Sequence, residues 1–423
     1  MLTKIAAKNY KNLDLAEGIN LSNLNILVGP NGSGKSNLIA LIEFLKNCLS
    51  TVDSNRGVTA FEDAVYRLGG AKILDGRVGK PAVVSLTYEG GGHSWKFSLS
   101  LYVQNSQTPV NIKDETLSSR IGIIDPLPVY HRTGSHLNAS RIYSRSNLPK
   151  TKSVKYQWVG NTPYALVSTG HTIPINKLAL KLEDTHTKGI SDRLKKLSFL
   201  LNIPEFTSIY NANDMELYKI RTTEPKIGSK ETILSRSGDN LARVLDNFYQ
   251  KSFDFEDDLN KFMQAILPTV RRVRPTRVGR LSLTIEWYVT GVSEPFYLDE
   301  MSDGTVRMLC WATLLLSPEL PKLLVIEEPE LGIHVAWLPI LADWIKQAAE
   351  RTQVIISTHS PDLLNHFSDR VENVYVFHPT VENKNRFKVK QLLQQDVDSW
   401  FQEGWQLGDL YRVGDPSVGG WPW

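Results

Sequence analysis

The sequence predicts an α/β fold in which a layer of largely parallel strands alternates with helices and is split by a large insertion. Three observations carry this. Short apolar runs at 24–28, 323–326 and 353–357 have the length and composition of buried strands. Stretches of helical periodicity follow them at 36–49, 335–350 and 362–367. Between the first run and the second, the alternation gives way to two-residue periodicity and to turn-rich, helical chain. Composition agrees. The chain has 423 residues, 41% hydrophobic and 22% charged, which excludes a largely disordered protein and, at roughly 100–200 residues per domain, allows two or three domains. A net charge of +3 excludes a global polycation. Two distant cysteines, Cys48 and Cys310, exclude a disulfide framework or a cysteine-based zinc cluster. No apolar run approaches a membrane span or a signal peptide, so a cytoplasmic protein is expected.

The elements follow in order. Residues 2–6 read as a short strand, and 24–28 as a buried one ending at Gly29. Leu38, Ile39, Leu41, Ile42 and Leu45 place an apolar stripe along a helix over 36–49. Segments 82–88 and 94–103 alternate around Gly90–Gly92 and predict an antiparallel hairpin. The stretch 126–182 has no acidic residue and reads as strands and loops. Helical patterns occupy 178–200 and 239–267, with a turn-rich break at 222–238. A strand at 281–289 and a helix at 305–316 precede the second apolar run. The expected division is a discontinuous core of 1–80 and 239–390, an insertion of 81–238, and an aromatic C-terminal tail of 391–423.

Leu24-Asn-Ile-Leu-Val-Gly-Pro-Asn-Gly-Ser-Gly-Lys-Ser36 is a buried strand, a glycine-rich loop and a helix start. Gly29, Gly34, Lys35 and Ser36 fit G-x-x-x-x-G-K-[ST]. Glycines let backbone N–H groups converge on phosphates, and a helix N-terminus adds a favourable dipole. Pro30, Asn31, Gly32, Ser33, Gly34, Lys35, Ser36 and Asn37 are therefore the expected nucleotide-binding residues. Lys35 places a cation on the β- and γ-phosphates, and the Ser36 hydroxyl is an expected Mg²⁺ ligand. The substrate-cofactor set implied is ATP with Mg²⁺.

A second constellation lies far downstream. The run 323–326 ends in Glu327-Glu328-Pro-Glu-Leu-Gly-Ile-His, a strand tipped by paired carboxylates. Beside a phosphate loop, Glu327 would hold Mg²⁺ directly or through water, and Glu328 would orient and deprotonate the attacking water. The strand 353–357 delivers His359 at its carboxyl end, where α/β sheets bind ligands. Ser302 and Gly304, in Met-Ser-Asp-Gly-Thr-Val-Arg at a helix start, make a candidate anion site.

In this order the motifs GPNGSGKSN, LSRSGDNLARVL, MSDGTVRM, IEEPELGIH and STHSP resemble the ABC-type ATPase heads. More narrowly the sequence is similar to the RecF, SMC and OLD-like group, and to standalone ATPases of bacterial anti-phage defence modules. The resemblance implies an ABC-type head with a mixed sheet, an antiparallel β lobe and a helical insertion. It implies a homodimer that sandwiches two ATP molecules, with Ser302 and Gly304 reaching the γ-phosphate on the partner's Lys35. It also implies that Glu330 and Leu331 lie in a segment crossing between heads, and that His359 senses the γ-phosphate. Three positions depart from the pattern: Glu327 replaces the usual Asp, Met301 the usual Leu, and Val335 the frequent Pro. No glutamine lies between Asn37 and Val103, so no Q-loop residue is assigned, and Gln104 fits poorly.

OLD-like relatives carry a Toprim nuclease after the head, whereas the chain beyond His359 is too short for one. Asp396 and Asp398 mimic a Toprim acid pair but read as a polar helix edge. The expected effector, a nuclease or toxin, therefore sits on a separate protein. For nucleic acid, Arg271, Arg272, Arg274, Arg277 and Arg280 fall within ten residues, suited either to phosphates or to a partner's acids. Two further functions stay open: a RecF-like DNA repair ATPase, and a slow-turnover scaffold stabilised by ATP.

Overall fold

The computed structural model describes residues 1–49, 60–70, 74, 81–90, 93–102, 110–121, 127–133, 136–138, 155–159, 162–166, 172–174, 207–227, 230–381 and 383–420. The helix expected at 178–200, much of the acid-free stretch 126–182, Gln104 and the final Trp-Pro-Trp lie outside these residues. The chain divides into two compact units, Met1–Leu21 with Gly32–Thr207 and His378–Lys390, and Ser22–Asn31 with Ser208–Phe377 and Gln391–Trp423.

The first unit is built on β1 (Leu2–Tyr10), β2 (Leu13–Asn20), α1 (Lys35–Leu49) and α2 (Ala60–Arg67). A long antiparallel run adds β4 (Ala82–Gly90), β5 (His93–Tyr102), β6 (Asn111–Ile121), β7 (Leu127–Thr133) and β8 (His136–Asn138). β19 (Phe387–Gln391) pairs parallel to β2, so the order β19-β2-β1-β4-β5-β6-β7-β8 is mixed. The expected hairpin is β4–β5, in register from Ala82 opposite Leu101 to Gly90 opposite His93. Its inner side buries Val84, Leu86, Phe97 and Leu99, the alternation that one buried face requires. A separate antiparallel sheet has the order β11-β10-β9, from β9 (Lys155–Val159), β10 (Thr162–Leu166) and β11 (Thr172–Pro174).

The second unit holds the parallel layer. β3 (Leu24–Val28), β16 (Leu323–Glu327), β17 (Gln353–Thr358) and β18 (Val374–Pro379) lie with β12 (Thr207–Asn211) in the order β12-β16-β17-β3-β18. Every residue of β3 and β17 is buried, as continuous apolar runs covered on both faces must be. On one face, α4 (Leu241–Lys251), α5 (Phe253–Ile266), α6 (Asp303–Leu315), α7 (Leu338–Arg351) and α8 (Pro361–Asn365) join one core with Leu24, Ile26, Val28, Leu324, Ile326, Val354 and Ile356 of these strands. The helical pattern at 239–267 is two helices, because Ser252 adopts extended dihedrals and its Oγ accepts from Phe255 N, capping α5. β13 (Val270–Val278), β14 (Ser282–Val289) and β15 (Phe296–Tyr297) form a second antiparallel sheet. A short helix α3 (Leu217–Thr222) precedes α4. At the far end α9 (Gln394–Gln402) and α10 (Leu407–Arg412) bring Trp400, Phe401 and Trp405 onto the core. Asp396 caps α9 and Asp398 accepts from Gln394, the polar helix edge expected for this pair.

Candidate functional site

The site is built on the carboxyl ends of three parallel strands. Val28 of β3 is in register with Thr358 of β17, and Ser357 of β17 with Glu327 of β16. One edge therefore delivers the root of the phosphate loop, the paired carboxylates and His359 side by side. After Glu327 the chain bends sharply: Glu328 has φ +48, and its N–H donates to Ser357 O at 2.9 Å. A left-handed dihedral at a non-glycine residue is uncommon and costs roughly 1 kcal/mol or more, so the surrounding bonds must hold it. Leu331 N donates to Glu328 O at 3.0 Å and closes the turn.

The Glu328 carboxylate lies 3.2 Å from His359 Nδ1, and Glu330 Oε1 lies 3.9 Å from the same atom. Although close, Nδ1 is not aligned for a hydrogen bond. Glu330, placed by the resemblance in a segment crossing between heads, turns its side chain inward. Its Oε1 accepts from Thr358 Oγ1 at 2.5 Å and from His359 N at 3.3 Å. Burial pushes the Glu330 carboxyl pKa up, against the opposing pull of those hydrogen bonds and of His359. Its Oε2 is buried without a partner. Glu330 thus ties the β16 turn to the end of β17, a role that the order of residues did not reveal.

The phosphate loop leaves this edge through Gly29, Pro30 and Asn31, and Gly32 to Asn37 belong to the other unit. Asn31, Gly32 and Ser36 are exposed, while Ser33 and Lys35 are buried. Gly34 has φ +103, and a Cβ there would lie 2.8 Å from both Asn12 Oδ1 and Leu13 Cδ2. Asn12 is a brace that the motif does not announce. Its Nδ2 donates to Gly32 O at 3.0 Å, and its Oδ1 accepts from Asn37 Nδ2 at 2.7 Å. Ser33 Oγ is buried with no partner. A glycine-shaped loop, exposed at Asn31 and Gly32 and opening α1 at Lys35, with an orphaned buried hydroxyl, fits a phosphate group. Among the described residues no cluster of three or more His, Cys, Asp or Glu could hold a metal ion.

Ser302 caps α6, its Oγ accepting from Thr305 N at 3.2 Å, and the residue stays exposed. Arg221 of α3 braces this start by donating to Met301 O at 2.7 Å and by pairing with Asp303. The helix meets the β16 turn twice. A Cβ on Gly304 would lie 3.2 Å from Gly332 O, and the buried Trp311 donates from Nε1 to Pro329 O at 3.0 Å. Arg221 and Trp311 do not stand out in the sequence, since neither belongs to a binding pattern.

The arginine run forms β13. Arg272 and Arg274 stand opposite Tyr288 and Glu286 of β14. Arg272 pairs with Glu256. Arg271, Arg274, Arg277 and Arg280 are exposed and make no ion pair among the described residues.

A glycine-rich loop between a buried strand and a helix, rooted beside acid-tipped and histidine-tipped parallel strands, defines a P-loop nucleotide-binding ATPase. The chain belongs to the family described as "AAA domain, putative AbiEii toxin, Type IV TA system", whose model matches residues 24–365. Three solved structures are similar. An SMC head bound to the C-winged helix domain of ScpA is 13% identical over 94% of this chain and 99% of that one, with TM-score 0.48. The SMC head domain from Thermotoga maritima is 14% identical over 93% and 99%, with TM-score 0.41. An SMC head with an extended coiled coil, bound to the C-terminal domain of ScpA derived from Pyrococcus furiosus, is 11% identical over 95% and 98%, with TM-score 0.42. No curated protein matches. Among the described residues no helix is long and apolar enough to cross a membrane.

Proposed function

We propose that the protein binds and hydrolyses ATP as a homodimer, and that its nucleotide state controls a separate effector, a nuclease or toxin, in bacterial antiviral defence. The observation that carries the hydrolytic reading is the approach of Glu328 to His359, whose carboxylate and Nδ1 lie 3.2 Å apart on the edge that launches the phosphate loop. Lys35 neutralises the β- and γ-phosphates while loop N–H groups hold their oxygens. Glu328 orients water and accepts its proton. His359 contacts the γ-phosphate and registers its loss. Ser36 and Glu327 would hold Mg²⁺, which would supply Lewis-acid charge neutralisation at the phosphates. Ser302 and Gly304 complete the site of a second copy. The family description, which names a putative toxin of a type IV toxin–antitoxin system, supports a link to such systems.

Lys35→Ala is expected to abolish ATP binding in an equilibrium assay. Glu328→Gln is expected to bind ATP normally, to lose turnover by about a hundredfold or more, and to accumulate as an ATP-bound dimer in size-exclusion chromatography. Wild-type turnover in Glu328→Gln would remove the general-base assignment. A wild-type protein that dimerises on ATP without hydrolysing it would instead be an ATP-stabilised scaffold. A second reading, a RecF-like DNA-binding repair ATPase, is favoured by the exposed cations of Arg271, Arg274, Arg277 and Arg280.

A further inference from the structure

The C-terminal segment lies beyond the residues matched by the family model, which end at 365. It nevertheless touches both ends of the nucleotide-binding edge. Leu392 N donates to Val374 O at 2.8 Å and seats the segment on β18, the neighbour of β3. α10 then runs against α8, the helix that starts directly after His359-Ser360. The approach requires glycine: a Cβ on Gly408 would sit 1.8 Å from Pro361 O. Asp409 N donates to Asn365 Oδ1 at 3.1 Å, Leu407 N to Ser368 Oγ at 3.1 Å, and Arg412 pairs with Asp362 at 2.7 Å. Tyr411, partly buried against the same core, lies close enough to Glu330 for that carboxylate to add to burial in raising the phenol pKa.

Beyond α10 the chain turns at Asp415, whose carboxylate accepts from Ser417 N at 2.8 Å. It returns to the root of the phosphate loop. Gly419, at φ +74, is buried against β18 and β3. A Cβ there would lie 2.8 Å from Val376 Cγ1, 3.6 Å from Gly29 Cα and 3.8 Å from Val28 O. Val418 is fully buried beside it. Gly29 is the first glycine of the phosphate loop, so one segment grips the backbone where that loop begins and the helix where the His359 strand ends.

We propose that residues 391–420 are a positioning element of the nucleotide site: Gly419 fixes the backbone at Gly29, α10 fixes α8 behind His359, and docking of this segment and nucleotide binding strengthen one another. The inference rests on the nucleotide reading above. Two ligand-like events that share a backbone position are coupled reciprocally, so nucleotide must steady the segment by as much as the segment steadies nucleotide.

The test uses the full chain and the non-hydrolysable analogue AMPPNP with Mg²⁺. Hydrogen exchange of wild-type amides at 407–420 is expected to slow when the analogue binds. Gly419→Val is expected to weaken analogue binding by about ten- to a hundredfold, the scale of an ångström-level misplacement, with Gly419→Ala between it and wild type. Arg412→Ala, which removes one exposed staple, is expected to weaken binding a few-fold and to remain folded should Gly419→Val not. A purely structural role would lower the unfolding midpoint of these variants and leave the affinity of the folded protein unchanged. That result, together with exchange at 407–420 indifferent to the analogue, overturns the inference alone. A wild-type chain that does not bind the analogue overturns the nucleotide reading and the inference with it.

Discussion

The parallel edge of β16, β17 and β3 and the antiparallel sheet β13–β15 both concentrate charged side chains, yet they hold them in opposite ways. At the parallel edge, Glu330 is buried, its Oε1 is held by Thr358 and His359, and Trp311 on α6 fixes the Pro329 carbonyl next to it. On β13, Arg271, Arg274, Arg277 and Arg280 stand in solvent. A buried charge fixes geometry because desolvation makes every alternative arrangement costly. An exposed charge fixes little and acts at a distance, subject to salt. The first arrangement suits chemistry on a positioned phosphate. The second suits contact with a polyanion whose exact place matters less.

The comparison breaks most sharply at Trp311. Trp311→Ala removes a fully buried indole between α6 and the β16 turn, with an expected loss of about 3–5 kcal/mol in denaturant unfolding. Trp311→Phe keeps most of the volume and leaves the Pro329 carbonyl unpaired, with an expected loss of about 1–3 kcal/mol. A Trp311→Ala variant no less stable than a surface arginine variant would end the contrast.

Glu330 gives a smaller effect with a distinctive pH signature. Its pKa is raised in the folded chain above the ordinary 4.5, so the folded state favours the protonated form. That preference contributes stability below pH 4.5, and the contribution disappears as pH rises through the higher folded value. Glu330→Gln keeps an acceptor for Thr358 and His359 N but cannot ionise. Its stability relative to wild type should therefore improve as pH increases across that window, measured by urea unfolding at several pH values. A constant difference would mean that Glu330 is not penalised by burial.

The two regions were not equally legible in the sequence. Phosphate binding demands Gly34, Lys35 and Ser36 at fixed spacing, and buried parallel strands demand unbroken apolar runs, so both the loop and the acid-tipped strand stand out. β2 and β19 do not. Leu13–Asn20 carries Gly18 and two acids, and Phe387–Gln391 alternates lysines with apolar residues on a half-exposed strand, so neither resembles a core run. Long-range partners were invisible for a different reason. Asn12 meets Gly32 and Asn37, and Gly419 meets Gly29, through contacts that leave no local periodicity or spacing. The arginine segment is recognisable as a charge cluster, but the hydrogen bond from Arg272 to Glu256 depends on where α5 ends up.

The weakest expected effects on stability fall on that sheet, and there they become informative. Arg272 pairs with Glu256 while 44% of its side chain remains in solvent, so Arg272→Ala should cost no more than about 1 kcal/mol, less in high salt. Replacing Arg271, Arg274 and Arg277 together should leave unfolding within about 0.5 kcal/mol of wild type, because surface substitutions away from buried groups rarely do more. The same triple variant separates the two functional readings. If these arginines meet phosphates, the slope of log affinity for duplex DNA against log salt falls by about 0.9 for each phosphate that is no longer neutralised. If they face acids of a protein partner, DNA binding is weak from the start and its slope does not respond. An unchanged slope on a wild-type protein that binds DNA well would assign the polyanion to another surface and leave this sheet to a protein.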